Sequence, residues 1–576
     1  MNIDTITKQI KVASKKMPAD IVIKNAKIID VFNGGIFQMD AAITDGYFAG
    51  FGEFEGREVI DAEGQYMAPS FIDSHVHIES SMVPPSEFAK VVIPHGVTTV
   101  ITDPHEIANV SGSEGIQFML DDAKETPLDF HFMLPSSVPA TPFETSGAEL
   151  QASDLQPLLK DPQVLGLGEV MDYASLRDAA PDLLEKIVQT IKRGGSIDGH
   201  LAGLDEEAVD LYSSAGVQTD HECTTPQEAF TRLQRGMYVS FREGSAAKNL
   251  LALLPAVTEK NARRCLFCTD DKHVDDLINE GSIDHHIRLA ITSGLDPLTA
   301  IQMATLNAAE CYGLKHKGAI APGYIADFLL FEDLYDLKVT QVFKEGKKVA
   351  SHGTFHKEIQ HIAKTKKITN SVHIPELSKE QLRIPMNTSQ KGNVIKINKN
   401  QLITDHLIEK VEVESGYFQS SVQNDQLKLV VVERHSRTGN IGLGIVKGMG
   451  MKKGAMATTI AHDSHNIIAV GTNDEDLIKA IKHIRDIGGG MTLFNEGKHL
   501  TSLPLSIAGL MSDQGYKKVA QQLTEIHKAL AHLGFKKDFN PFHTLSFLAL
   551  PVIPSLKLTD KGLYSTKEAK HIPVSL

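Results

Sequence analysis

The sequence predicts an α/β protein. It comprises a (β/α)8, TIM-type barrel over residues 68–317, a small β-sandwich domain built from the flanking segments 18–67 and 318–365, and an additional α+β domain over 380–576. Three observations carry this. Apolar strand-like runs alternate with helical stretches through the central 250 residues. Short alternating β segments of matching texture stand on either side of that region. After residue 380 the pattern changes to strands, a Gly-rich stretch and two amphipathic helices.

Residues 1–17 read as a polar, basic helical lead. The segments DIVIKNAKIIDVF, DAAITDGYFAGFG and REVIDAEGQY, broken by Gly and Asp turns, predict a small antiparallel sheet. GAIAPGYIADFLLFE and VTQVFKEGKKVA repeat that character at 318–350, as one β domain interrupted by a large insertion would. Within the insertion the strand runs are APSFIDSHVH, GVTTVITDP, DFHFMLPSSV, QVLGLGEVM, SIDGHLAG, GVQTDHECT, MYVSFREGS and CLFCTDD. Helical runs such as PSEFAKVVIPH, SGSEGIQFMLDDAKE and PDLLEKIVQTIKRG separate them. A Lys-rich linker, HKEIQHIAKTKKITNSVHIPELSKEQ, leads to the last region. There GLGIVKGMG lacks the GKS/GKT ending of a P-loop and the dinucleotide spacing, and reads as tight turns between strands.

The 576 residues are 42% hydrophobic and 23% charged, as in a globular protein with ample core, and their net charge of -14 argues against nucleic-acid binding. No apolar run is long enough for a membrane span and no signal peptide is visible, so a cytoplasmic location is expected. The four cysteines, Cys223, Cys265, Cys268 and Cys311, read as buried free thiols, because no second CxxC accompanies CLFC.

Barrel enzymes carry their chemistry at the C-terminal ends of the strands. Polar residues collect there: His75 and His77, then Asp103, His105 and Glu106, then Glu169, His200, His221 with Glu222, Arg242 with Glu243, and Asp270 with Asp271. His75, His77, Glu169, His200, His221 and Asp270 supply four imidazoles and two carboxylates, a donor set for a pair of divalent ions; Zn, Mn and Fe all suit it. Strand alternation turns His75 and His77 to one side, and admits only one of Asp270 and Asp271 to the site, with Asp270 the choice by motif position. Cys268 shares the side of Asp270. Glu79 and Ser80 follow the HVH and are placed to orient it. For Asp103, His105 and Glu106 the alternatives are ligands, substrate contacts, outer partners, or a turn at Asp103-Pro104 capped by His105. Arg242 either faces the site or pairs with Glu243 at the rim. His285 and His286 read as structural or interfacial. The late cluster His435, Arg437, His462, Asp463 and His465 either closes over the site, meets another subunit or lies on a domain surface.

The HVH, the later single histidines and the final Asp resemble the amidohydrolase superfamily. FIDSHVHIESS, VITDPHEIANV, GLGEVMD, TDHECTT, ERHSRTGNIGLG and AHDSHNIIAVG are similar to the adenine deaminase family of bacteria. The resemblance spans essentially the whole chain. It implies that His75 and His77 hold one metal with Asp270, that His200 and His221 hold a second, and that Glu169 bridges them where many relatives use a carboxylated lysine. It favours Mn or Fe(II), with Zn also compatible. It implies hydrolysis of adenine to hypoxanthine and ammonia in purine salvage, with Asp270 moving a proton and Glu222 or Glu106 as a second carrier. The expected partner is a small purine base, with no nucleic acid and no membrane, in a homo-oligomer, a dimer by preference. A cyclic-amide hydrolase of dihydroorotase-like or imidazolone-ring type is the alternative for the same binuclear site.

Overall fold

The computed structural model describes residues 3–245, 247–359, 366–536 and 538–576. Eight parallel strands, Phe71–Val76, Val97–Thr102, Asp129–Leu134, Val164–Val170, Ser196–Gly199, Thr219–Asp220, Tyr238–Arg242 and Cys265–Cys268, pair in chain order in one sheet. They are the eight apolar runs of the sequence. Largely buried on both faces, they are mostly apolar, with buried polar residues such as Asp73, Ser74 and Ser240 within them and the titratable residues of the site at their C-terminal ends. First and last strands meet through a parallel bridge between Val76 and Asp270, with His77 N donating to Asp270 O (3.2 Å) and Asp270 N to His75 O (3.0 Å). The near-closed barrel is therefore stitched by the residues of the site.

One helix begins earlier than expected. The run read as starting near Ser111 starts at His105 and is broken at Gly112 (φ 61, ψ -147). Pro104 precedes it, and a proline has no N–H to satisfy at a helix start. His105 accordingly opens the helix and does not cap a turn.

The flanking segments form two sheets, and both are mixed. Tyr47–Phe51, Ala41–Thr44, Ala19–Lys24 and Gly56–Asp61 make one, and Thr354–Phe355, Lys347–Ser351, Val339–Lys344, Phe328–Phe331, Tyr66–Pro69, Lys27–Asp30 and Gly35–Gln38 make the other. Tyr66–Pro69 pairs antiparallel with Phe328–Phe331, joining segments on opposite sides of the barrel in sequence. The wholly antiparallel expectation fails at two pairs, Ala19–Lys24 with Gly56–Asp61 and Lys27–Asp30 with Tyr66–Pro69, which run parallel because intervening hairpins return the chain in its first direction. The amphipathic lead is a helix at Ile3–Ala13.

The C-terminal region is built on an eight-stranded sheet that includes Gln426–Val432, Ile441–Lys447, Ala455–Thr458 and Ile467–Gly471. The Gly-rich stretch is half strand and half turn, with Gly448, Gly450 and Gly454 at positive φ. Asn473 caps the helix Asp474–Asp486, and Tyr516–His532 forms the second helix. One apolar cluster runs without interruption from Met82 and Phe88 beside the barrel to Met456, Leu493 and Ile507. Part of the expected linker, 360–365, lies outside the described residues. No helix among the described residues is long and apolar enough to cross a membrane.

Candidate metal centre and active site

The ends of the first, fourth, fifth, sixth and eighth strands converge on Glu169. Its Oε1 lies 3.0 Å from His75 Nε2 and 2.8 Å from His77 Nε2; its Oε2 lies 2.7 Å from His200 Nδ1 and 3.7 Å from His221 Nε2. Asp270 Oδ1 stands 3.2 Å from His77 Nε2 and 3.6 Å from His75 Nε2. The two histidine nitrogens face each other at 3.1 Å. All six residues are buried. Glu169 Oε1 and His200 Nε2 have no hydrogen-bond partner among the described residues, an expensive state for buried polar atoms.

Electrostatics point the same way. Burial opposes ionisation of Glu169 and Asp270, yet facing imidazoles and, for Asp270, first the Arg242 guanidinium hold both carboxyls well below their ordinary range. Burial and the neighbouring His75 push His221 down to about 3, leaving a neutral imidazole. Burial lowers His200 as well, but Glu222 and Glu169 bring it up to about 9. Against the effect of burial, Glu169 and Asp270 draw His75 and His77, and Glu222 and Glu169 draw His200, toward their charged forms. The cluster thus calls for positive charge between imidazoles and carboxylates, which a divalent cation supplies; the residues fit a metal centre.

Around this set stand the outer residues. Asp103 Oδ2 accepts from Glu169 N (3.0 Å), and Asp103 O meets His77 Nδ1 (3.0 Å), fixing bridge and ligand together. Against the effect of burial, Asp463 and Asp103 on either side raise His105 well above its usual value. Glu79 accepts from Ile107 N (3.1 Å), and Ser80 donates to Glu106 (3.0 Å) and to Asp271. Burial, then Glu79 and Asp271, raise Glu106 well above the carboxylate range.

A cavity over this set is lined by His77, His105, Glu169, His200, His221, Glu222, Arg242, Asp270, Asp271, His462 and Asp463, together with apolar Met171, Leu402, Phe547 and Leu550. Several expectations change here. Glu106 stands behind the wall, bonded to Ser80, so of the two second proton carriers only Glu222 faces the cavity. Asp271 faces it beside Asp270. Alternation fails because the strand ends at Cys268 and Asp270 has a left-handed φ of 55°. Arg242 turns inward, chelating Glu222 and reaching Asp270 Oδ2 at 2.8 Å, and does not pair with Glu243. Cys268 is a buried free thiol whose pKa burial pushes up. His286 is structural, bonding Ser282 O and Cys268 O.

Of the late cluster, His462 and Asp463 reach the cavity, His435 and His465 pack behind them, and Arg437 is exposed. Sequence reasoning missed the apolar Leu402, Phe547 and Leu550, whose pattern is that of any core residue. It also missed Asp73, which accepts from Thr269 N (3.1 Å), and Tyr312, which donates to Ser74 O (2.9 Å) and Asp198 (3.1 Å) beneath the site.

Comparison with known proteins adds to this geometry. The amidohydrolase family matches residues 66–349 and the adenine deaminase C-terminal domain matches 401–570. Adenine deaminase of Geobacillus kaustophilus is 57% identical over 572 residues, 99% of each chain. That of Bacillus pumilus is 54% identical over 568 residues, 98% of each chain. That of Bacillus subtilis is 53% identical over 575 residues, 99% of this chain and 100% of its own. Matched along its length, with a candidate metal-ligand set at its barrel rim, the chain belongs to the adenine deaminase family of amidohydrolases.

Proposed function

We propose that the chain deaminates adenine to hypoxanthine and ammonia at a site holding two divalent metals, Mn or Fe(II) in preference to Zn. The observation that carries this is the division of Glu169, one oxygen toward His75 and His77 and the other toward His200 and His221. The relatives' names supply the substrate. When bound, the ions would lower the pKa of a water so that hydroxide is available near neutral pH.

The chain's own residues do the rest. His75, His77 and Asp270 would hold one ion and His200 and His221 the other, with Glu169 offering an oxygen to each set. Asp270 would take one proton of the attacking water and deliver it to the departing amine, the Arg242 contact at its Oδ2 (2.8 Å) keeping the carboxyl ionised beforehand. Glu222, gripped by both guanidinium nitrogens of Arg242, lines the cavity and would carry the water's other proton to the ring nitrogen, so that the water's two protons end on the ring nitrogen and the departing amine. Met171, Leu402, Phe547 and Leu550 exclude water around the flat base. The location is expected to be cytoplasmic and the assembly a homo-oligomer, a dimer by preference.

The test is ammonia release from adenine by protein purified with Mn or Fe(II), repeated after chelation and with Glu169→Gln. Activity should require metal, and Glu169→Gln should lose more than the roughly 10–100-fold in metal affinity typical of outer-partner changes. Full activity in Glu169→Gln would sink the bridging role; no ammonia from adenine would sink the reaction.

A further inference from the structure

The roof of the cavity comes from the C-terminal region, and its polar group there has no assigned task. Asp463 is 2% exposed and lines the cavity. Its Oδ1 lies 3.5 Å from His105 Nε2, while its Oδ2 has no hydrogen-bond partner among the described residues. A buried carboxylate oxygen left unpaired forfeits its hydration with nothing in return, so it calls for a donor.

Most other polar walls have partners. His77, Glu169, His200, His221 and Asp270 face one another at the candidate metal positions, Glu222 and Arg242 hold each other, Asp271 accepts from Ser80, and His105 lies between Asp103 and Asp463. His462 stacks on Phe547 with ring centroids 4.2 Å apart.

The loop that presents Asp463 is rigid. His462 N donates to Ser546 O (3.1 Å), His465 N to Ala461 O (2.7 Å), and Asn466 Nδ2 to Thr145 O (2.8 Å). Behind it the fully buried Arg434 donates to His465 O, Ser371 O and Ala508 O. A carboxylate held this firmly is preorganised for a ligand.

The position selects what that ligand group is. With the amine-bearing carbon over the metal ligands on the floor, the five-membered ring of a purine lies on the far side of the bicycle, toward the roof. A free base carries an N–H on that ring, and a nucleoside carries a sugar in its place. Resting on the adenine deaminase reading, we propose that Asp463 is a substrate-contacting, specificity-determining residue whose carboxylate accepts the imidazole-ring N–H of the free base. The same contact that binds adenine thereby rejects N-glycosylated purines, which lack the donor and collide with Phe547 and Leu550.

The experiment compares adenine with its oxazolopyrimidine isostere, in which a ring oxygen replaces the N–H, on metal-loaded wild type and Asp463→Asn. Wild type should prefer adenine, and Asp463→Asn should reduce that preference on the order of 100-fold by losing adenine and not the isostere. Were Asp463 only to position His105, both substrates would fall together and the ratio would hold, which overturns the proposal. Metal content and melting temperature check that the variant is folded, and Asp463→Ser is the second variant if it is not. Failure of wild type to release ammonia from adenine would be recognisably different, since it removes the reaction itself and not only this contact.

Discussion

Gly168 shows how narrowly the bridge is set. A Cβ built there meets Asp103 Oδ2 at 2.1 Å, and that oxygen holds Glu169 N. Gly168→Ala must therefore push Asp103 away or turn Glu169. We expect it to cost about 1–3 kcal/mol of stability through overpacking and roughly 10–100-fold in metal affinity. Metal titration of the variant checks this, and wild-type affinity would show that the contact is relieved elsewhere. At this scale the convergence of the candidate ligands was legible because a strand end fixes where a side chain goes: His75, His77, Glu169, His200 and His221 were picked from strand ends, and Asp270 over Asp271 by its motif position. Asp271 was not, because its direction depends on the left-handed turn at Asp270, and no residue type announces that turn. Arg242 and Glu222 were visible as candidates, but their mutual grip depends on two strands whose spacing only the closed sheet sets.

Among elements, the strand Leu556–Thr559 carries a buried lysine that pins the roof. Lys557 Nζ donates to Leu402 O (2.9 Å) and Phe547 O (3.0 Å), both in residues lining the cavity. Burial brings its pKa from 10.5 down to about 7. Between those values the unfolded chain holds a proton that the folded chain has released, so folding stability rises with pH through that window and is flat below it. Lys557→Met removes this slope. Relative to the variant, wild type should gain about 1.4 kcal/mol per pH unit between pH 7 and 9 in denaturant unfolding. Parallel stability curves for the two proteins would show that the lysine stays charged. The barrel strands were legible in sequence because apolar runs bounded by helices allow few other folds. The parallel pairs of the flanking sheets were not, since strand direction follows from long-range hairpin closure and leaves no local mark.

For the whole molecule, the shared core decides cooperativity. Because one apolar cluster runs from the barrel helices to the C-terminal sheet, and Ser512 N donates to Met82 O (2.8 Å) across it, the barrel and the C-terminal region bury each other's surface. Calorimetry of the full chain should show these two parts melting in one transition. A chain ending at residue 379 should aggregate, having exposed that face. Two separated transitions would rule out this coupling. The barrel seam has a consequence of a different kind. The amides of His77 and Asp270 close the first strand onto the last, and the same two residues face the metal position. An ion held by both would tie the two sides of the seam a second time, and slowed hydrogen exchange at those two amides would report occupancy of the centre without any substrate present.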